Sequence, residues 1–190
     1  MSAVDPLTRL AVAAQAGDDG ALDQLVELAY EQVWRLCASL VDEASASDLA
    51  QDTFLRAVRA LPRFRAEASA RTWLLSIARC ACMDELRGRT RRRRRDQALV
   101  PAAGSAALAA DAAGEVLVAD LLARLDPDRR SAFVLTQVLG LTCEEAAEVC
   151  DCPAGTIRSR VARARDELIA HLGDERPAGW RSRRGGTTLT

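Results

Sequence analysis

The chain has 190 residues and no lysine; all 26 of its basic residues are arginine. Aromatic side chains are 4% of the total, and His171 is the single histidine. Alanine and leucine dominate instead, so the expected core is aliphatic and helical. No stretch approaches the roughly 18 apolar residues that cross a bilayer. Asp5 and Arg9 interrupt the N-terminus before any apolar signal region. These absences predict a cytoplasmic chain without membrane insertion, in a compartment where thiols stay reduced. There is no Gly-rich phosphate loop and no visible grouping of nucleophile, base and orienting residue, so neither enzymatic activity nor a cofactor is expected.

Six cysteines are present. Cys80-x-Cys82 and Cys150-x-Cys152 are spaced more tightly than the two- to four-residue spacers typical of zinc sites, and no histidine lies near them. Structural thiols and no metal are expected; redox or metal chemistry, if present, falls to Cys143, Cys150 and Cys152. Net charge is −1. Nucleic-acid binding therefore has to come from local basic patches.

Residues 142–172 carry the sharpest pattern. Thr142 followed by Glu145 reads as a capping box, each side chain satisfying an orphan backbone donor of the other residue. A short helix runs on to Cys150, Asp151 and Cys152 turn the chain, and Pro153 suits the first position of the next helix. Ile157, Val161, Ala164 and Leu168 then form one buried stripe. Thr156, Arg158, Ser159, Ala162 and Arg163 fall away from it, with Arg160 and Arg165 on its flanks. Acids concentrate on the first helix and arginines on the second. This is the division a helix-turn-helix uses when its second helix enters the major groove; an ordinary solvated hairpin has the same outline.

From the N-terminus, Asp5 and Pro6 cap a helix over residues 6–16, and Leu22 to Val41 keep a 3.6-residue period. A third helix is expected to start near Ser45 or Ser47, with Leu49, Thr53, Phe54, Ala57 and Leu61 inward and Asp48, Gln51, Asp52, Leu55, Arg56 and Arg59 elsewhere. Pro62 ends it. A fourth helix from about Ala70 to at least Arg87 buries Trp73, Leu74, Ile77, Ala78 and Ala81. Seven arginines crowd into residues 87–95, a pattern suited to phosphate contact. Residues 96–113 are Ala-, Gly- and Ser-rich and read as a flexible linker. Periodicity resumes at Val116 and continues through the Asp126-Pro127 cap, Ala132, Phe133, Thr136 and Val138 to Gly140. Residues 173–190 lack periodicity and read as a disordered tail.

The expected fold class is all-α, with two small helical domains (1–95 and 114–172) joined by the 96–113 linker. A tether of roughly 18 residues reaches at most about 60 Å, close to the length of about 17 base pairs. A free-standing helix-turn-helix regulator would leave residues 45–92 without a purpose. A module binding RNA or an acidic protein through the arginine run would show weak sequence dependence.

Two blocks, SASDLAQDTFLRAVRALPRF (45–64) with RTWLLSIARCACMDELRGRTRR (71–92), and LDPDRRSAFVLTQVLGLTCEEAAEVCDCPAGTIRSRVARARDEL (125–168), together resemble an extracytoplasmic-function sigma factor of the sigma-70 family. The first block is similar to regions 2.2 to 2.4 and the second to region 4. The resemblance implies a subunit that binds core RNA polymerase, directs it to promoters with −35 and −10 elements and assists their opening. Its implied partners are the β′ clamp helices, the β subunit, promoter DNA and, as often in this family, an anti-sigma factor. It implies polymerase contacts at Asp48, Gln51, Asp52, Leu55 and Arg56. Arg65, Arg71, Arg79, Asp84 and Arg87 would meet the −10 strand, and Thr156, Arg158, Ser159, Ala162 and Arg163 the −35 duplex. Many family members carry asparagine where this chain has Cys80, so an amide is missing from the −10 helix.

Overall fold

The structure is a computed structural model and describes residues 5–99 and 115–174. Its helices are α1 (Pro6–Gln15), α2 (Asp19–Leu40), α3 (Glu43–Ala60), α4 (Ala70–Leu99), α5 (Glu115–Arg124), α6 (Pro127–Phe133), α7 (Cys143–Cys150) and α8 (Ala154–Asp174). A 3-10 turn at Leu61–Arg63 follows α3, and a π-helical turn at Val134–Val138 follows α6. No strand occurs among the described residues.

Side-chain caps set most helix starts. Asp5 accepts from the Thr8 amide at 3.1 Å, Asp18 from the Ala21 amide at 3.0 Å and Asp126 from the Asp128 amide at 3.0 Å. Each satisfies a donor that the helix leaves unpaired. The spacing predicts a start for α3 at Ser45 or Ser47, but the helix begins at Glu43. The reason is Asp42, whose carboxylate accepts from the Ser45 amide at 2.8 Å and so caps the helix two residues earlier.

Helices α1 to α4 form a bundle in which α2 packs on α1, α3 and α4. Leu25, Val33, Leu36 and Leu40 of α2 meet Ala50, Phe54 and Ala57 of α3 and Leu74, Leu75 and Ala78 of α4 in the core. Trp73 is half-buried, its ring 4.8 Å from that of Phe64. The buried arc of α4 is wider than the spacing predicts, taking in Thr72, Leu75 and Cys82. Leu75 lies with Leu7 of α1 and Ala29 and Val33 of α2, and Cys82 faces Cys37 of α2; α4 also lies against α3 and α7.

In the second half, α8 packs on α6 and α7 around Leu135, Ala146, Val149, Ile157, Val161 and Ala164. The π turn shifts the local register, with the Leu139 amide donating to the Val134 carbonyl, five residues back, at 2.9 Å. Val134, Leu135 and Leu139 are buried as a result, whereas Val138, read as part of the stripe, is 47% exposed. Gly140 then turns the chain at φ +70°, a conformation that glycine adopts without strain.

The halves are in contact, which composition alone did not indicate. Besides the α4–α7 contact, α2 meets α5, α6 and the π turn, and one apolar cluster includes residues from both halves. Helix α4 continues to Leu99, past the Arg95 boundary expected from the sequence. Residues 100–114, the rest of the expected linker, and the tail beyond Asp174 lie outside the described residues.

Asp42 also joins α3 to α4, because Arg89 donates to its free oxygen and to Ser45 Oγ, the latter at 2.6 Å. Burial pushes the Asp42 carboxyl up, but the bonds from Arg89 and Ser45 outweigh it and hold the group below its ordinary 3.8. A lowered folded-state pKa contributes stability above the unfolded value, lost as pH falls through the folded one. Asp42→Ala should therefore lower stability by about 1 kcal/mol at neutral pH. In urea unfolding, the gap between variant and parent should narrow between about pH 5 and pH 3. A gap that stayed constant with pH would remove the ionic contribution.

Candidate nucleic-acid interface

The hairpin of α7 and α8 is built as its sequence suggests. The Thr142 amide donates to Glu145 Oε2 at 2.8 Å, and the Glu145 amide to Thr142 Oγ1 at 3.1 Å. Asp151 ends α7 in the left-handed region at φ +51°, and the Cys152 amide reaches back to the Ala147 carbonyl at 3.1 Å. Pro153 stands one residue before α8 rather than inside it; its carbonyl accepts from the Thr156 amide at 2.8 Å. Ile157, Val161 and Ala164 are buried and Leu168 is half-buried. This anchors α8 with Arg158, Ser159, Ala162 and Arg163 exposed and Thr156 half-buried. Arg158 bonds Glu144 at 2.7 Å with both side chains more than half exposed, a pair worth little in water. Arg163 has no ion-pair partner among the described residues. A face of two cations, a hydroxyl and a small methyl side chain can reach guanine edges, phosphates and thymine methyls.

The −10 candidates divide. Arg65 is exposed beyond the 3-10 turn, with Glu67 at 3.8 Å. On α4, Asp84 gathers Arg87 at 2.6 Å and Arg56 of α3 at 3.3 Å. Arg87 first, and Arg56 with it, holds the Asp84 carboxyl below the usual carboxylate range. The arginine run continues the helix, with Arg91 to Arg95 exposed. Arg71 and Arg79 are engaged elsewhere. Arg71 donates to Gln32 Oε1 and to the Leu139 carbonyl, both at 2.6 Å. Arg79, its side chain 14% exposed, bonds Asp128 at 2.6 Å. The cleft beside Arg79, about 530 Å³, runs along α4 past Cys80, Arg87 and Arg91 to Pro127 and Asp128 at the start of α6.

The polymerase candidates share one face of α3. Asp48, Gln51 and Leu55 are exposed, Leu55 at 57%, while Asp52 and Arg56 are half-buried and paired at 2.7 Å. The sequence did not single out Asp128, or Arg130 as a bond donor across the halves. Both work at contacts 49 and 90 residues away along the chain, which local spacing does not encode.

Two of the cysteines are sealed into the α2–α4 seam. A hydrogen bond with Cys37, then burial, raises the Cys82 thiol above its ordinary pKa. Burial pushes Cys150 up to about 11. Thiols so held are poor nucleophiles. Among the described residues no group of three or more His, Cys, Asp or Glu is placed to hold a metal, and no helix is long and apolar enough to cross a membrane.

The family model for Sigma-70 region 2 matches residues 25–92, and that for Sigma-70, region 4 matches residues 115–168. The ECF RNA polymerase sigma factor SigC of Mycobacterium tuberculosis is 47% identical over 171 residues, covering 87% of this chain and 91% of the relative. The ECF RNA polymerase sigma-E factor of Haemophilus influenzae is 31% identical, covering 81% of this chain and 88% of the relative. Among solved structures, CnrH in complex with the cytosolic domain of CnrY is similar at a TM-score of 0.72 and 28% identity, over 90% of this chain and all of that one. The sigma factor RpoE of Bartonella quintana, solved with the anti-sigma factor NepR, gives 0.65 and 30% identity over 81% of this chain and 98% of that one. A four-helix bundle with a basic fourth helix and an arginine-bearing helix-turn-helix thus stand in one chain over the residues that the two sigma-70 family models match, and the chain belongs to the extracytoplasmic-function sigma factors of the sigma-70 family.

Proposed function

We propose that the chain is a non-enzymatic, cytoplasmic promoter-specificity subunit whose two halves read the −10 and −35 elements for core RNA polymerase. The observation that carries this reading is the exposed face of α8, held outward by the capping box and the Ile157–Val161–Ala164 stripe. In this reading Thr156, Arg158, Ser159, Ala162 and Arg163 enter the major groove of the −35 duplex. Arg65, Arg71, Arg79 and Arg87 hold the opened −10 strand, and Asp84 orients Arg87. Bases that leave the stack there cost a few kcal/mol, which polar and apolar contacts offset. The α3 face of Asp48, Gln51, Asp52, Leu55 and Arg56 docks on the clamp helices of the polymerase β′ subunit, and the second half meets the β subunit. The complexes of CnrH with CnrY and of RpoE with NepR support an anti-sigma factor as a further partner.

Run-off transcription on fragmented genomic DNA tests the reading. Discrete transcripts should require both core polymerase and this chain; transcripts from core alone would contradict it. Arg158→Ala or Arg163→Ala should weaken −35 recognition by about 1–3 kcal/mol wherever the residue makes a bidentate base contact. Equal loss on every duplex sequence would reduce that residue to a phosphate contact. Asp52→Arg should abolish co-purification with core polymerase while circular dichroism stays native. Normal co-purification would move the docking site off α3.

A further inference from the structure

The cleft along α4, about 530 Å³, has the size of a small-molecule site and a wall of unbalanced charge. Arg79, Arg87, Arg91 and Arg94 line it against a single acid, Asp128. That acid is taken up: one oxygen accepts from Arg79 at 2.6 Å and the other from Arg160 at 2.8 Å. Arg91 and Arg94 are exposed and have no acidic partner among the described residues. The buried Nε of Arg79 has no hydrogen-bond partner among them either. Met83, Leu86 and Pro127 supply the apolar part of the wall. Such a lining is complementary to a small anion with an apolar body.

The same wall holds a nucleophile. Cys80 lines the cleft and is the one exposed cysteine; Cys37, Cys82 and Cys150 are buried, and Cys143 and Cys152 half-buried. Spacing assigns any redox chemistry to Cys143, Cys150 and Cys152, whereas exposure assigns it to Cys80. Cys80, Met83, Arg87, Arg91 and Arg94 recur at steps of three and four residues, so they share one face of α4. Long helical side chains lean toward the helix N-terminus, and from Arg87 and Arg91 that is the direction of Cys80. Accessible thiols in electropositive surroundings are the reactive ones.

We propose that this cleft is a binding site for small disulfides that carry carboxylates, and that Cys80 exchanges with them to form a mixed disulfide on α4. The arginines receive the carboxylates. The Cys80 thiolate attacks one sulfur of the bound disulfide, whose S–S bond breaks as the new one forms. The other half leaves as a thiolate, and the Cys80 proton passes to water. The reaction needs neither DNA nor polymerase and stands apart from the proposed function.

The test follows thiol exchange on the full-length, reduced chain by stopped flow, with two probes. One is dithiobis(nitrobenzoate), which carries carboxylates; the other is the uncharged dithiodipyridine. The fast phase should disappear in Cys80→Ser. Relative to a free cysteine peptide, Cys80 should prefer the anionic probe over the neutral one by about tenfold or more, and the preference should shrink as salt screens the arginines. Taking the ratio of the two rates cancels any change in the thiol itself. Arg87→Gln combined with Arg91→Gln should lower that ratio toward the value for the free peptide. Glutathione disulfide should then modify Cys80 ahead of Cys143 and Cys152, as read by mass spectrometry after digestion. A fast phase that survives Cys80→Ser, a ratio unmoved by salt and by the arginine variants, or modification spread evenly over the three cysteines would each overturn the proposal.

Discussion

The seam between the two halves depends on one buried guanidinium. Arg130 contacts three backbone carbonyls, at the ends of α2 and α5. Desolvating an arginine costs several kcal/mol, so an arrangement that lost any of these acceptors would be strongly disfavoured. One of the three bonds, to Leu40, crosses the halves and holds α6 beside the end of α2. Around it Asp128, at the start of α6, stands between Arg79 of α4 and Arg160 of α8, and α7 lies on α4.

Charge is arranged with similar economy. The chain is nearly neutral, yet its basic surfaces persist because acids pair locally with some arginines and leave others alone. Asp42 and Glu85 take Arg89, Glu85 takes Arg92 as well, and Asp84 takes Arg56 and Arg87. Arg91 and Arg93 to Arg95 have no acidic partner among the described residues and remain exposed on one helix. Partly exposed pairs of this kind are weak and screened by salt. They orient side chains at little cost and yield readily to a polyanion, which suits a surface that must exchange protein carboxylates for phosphates.

What was legible in the sequence was local. The Thr142–Glu145 capping box, the Asp5 and Asp126 caps, the α8 stripe and the outward set from Arg158 to Arg163 follow from spacing within one or two turns, and the structure reproduces them. Errors came where a neighbour outside the window decided the outcome. Asp42 starts α3 early because its carboxylate accepts from the Ser45 amide, and the same group also takes Arg89 of α4. The π turn defeats a 3.6-residue period at Val138. Arg79 counts as an outward cation by periodicity, yet it is largely covered because the second half folds over it. No pattern in residues 125–133 announces that Asp128 and Arg130 face the first half, since a cap-proline helix start looks the same whether it meets solvent or another domain.

The central claim is that one chain holds two promoter elements through two different helices. Hydroxyl-radical footprinting of polymerase carrying this chain, on a promoter obtained from its own transcripts, tests it most directly. The account predicts two separate protected segments and selective loss of the upstream one when the exposed face of α8 is altered. A single protected segment, indifferent to α8, would contradict it.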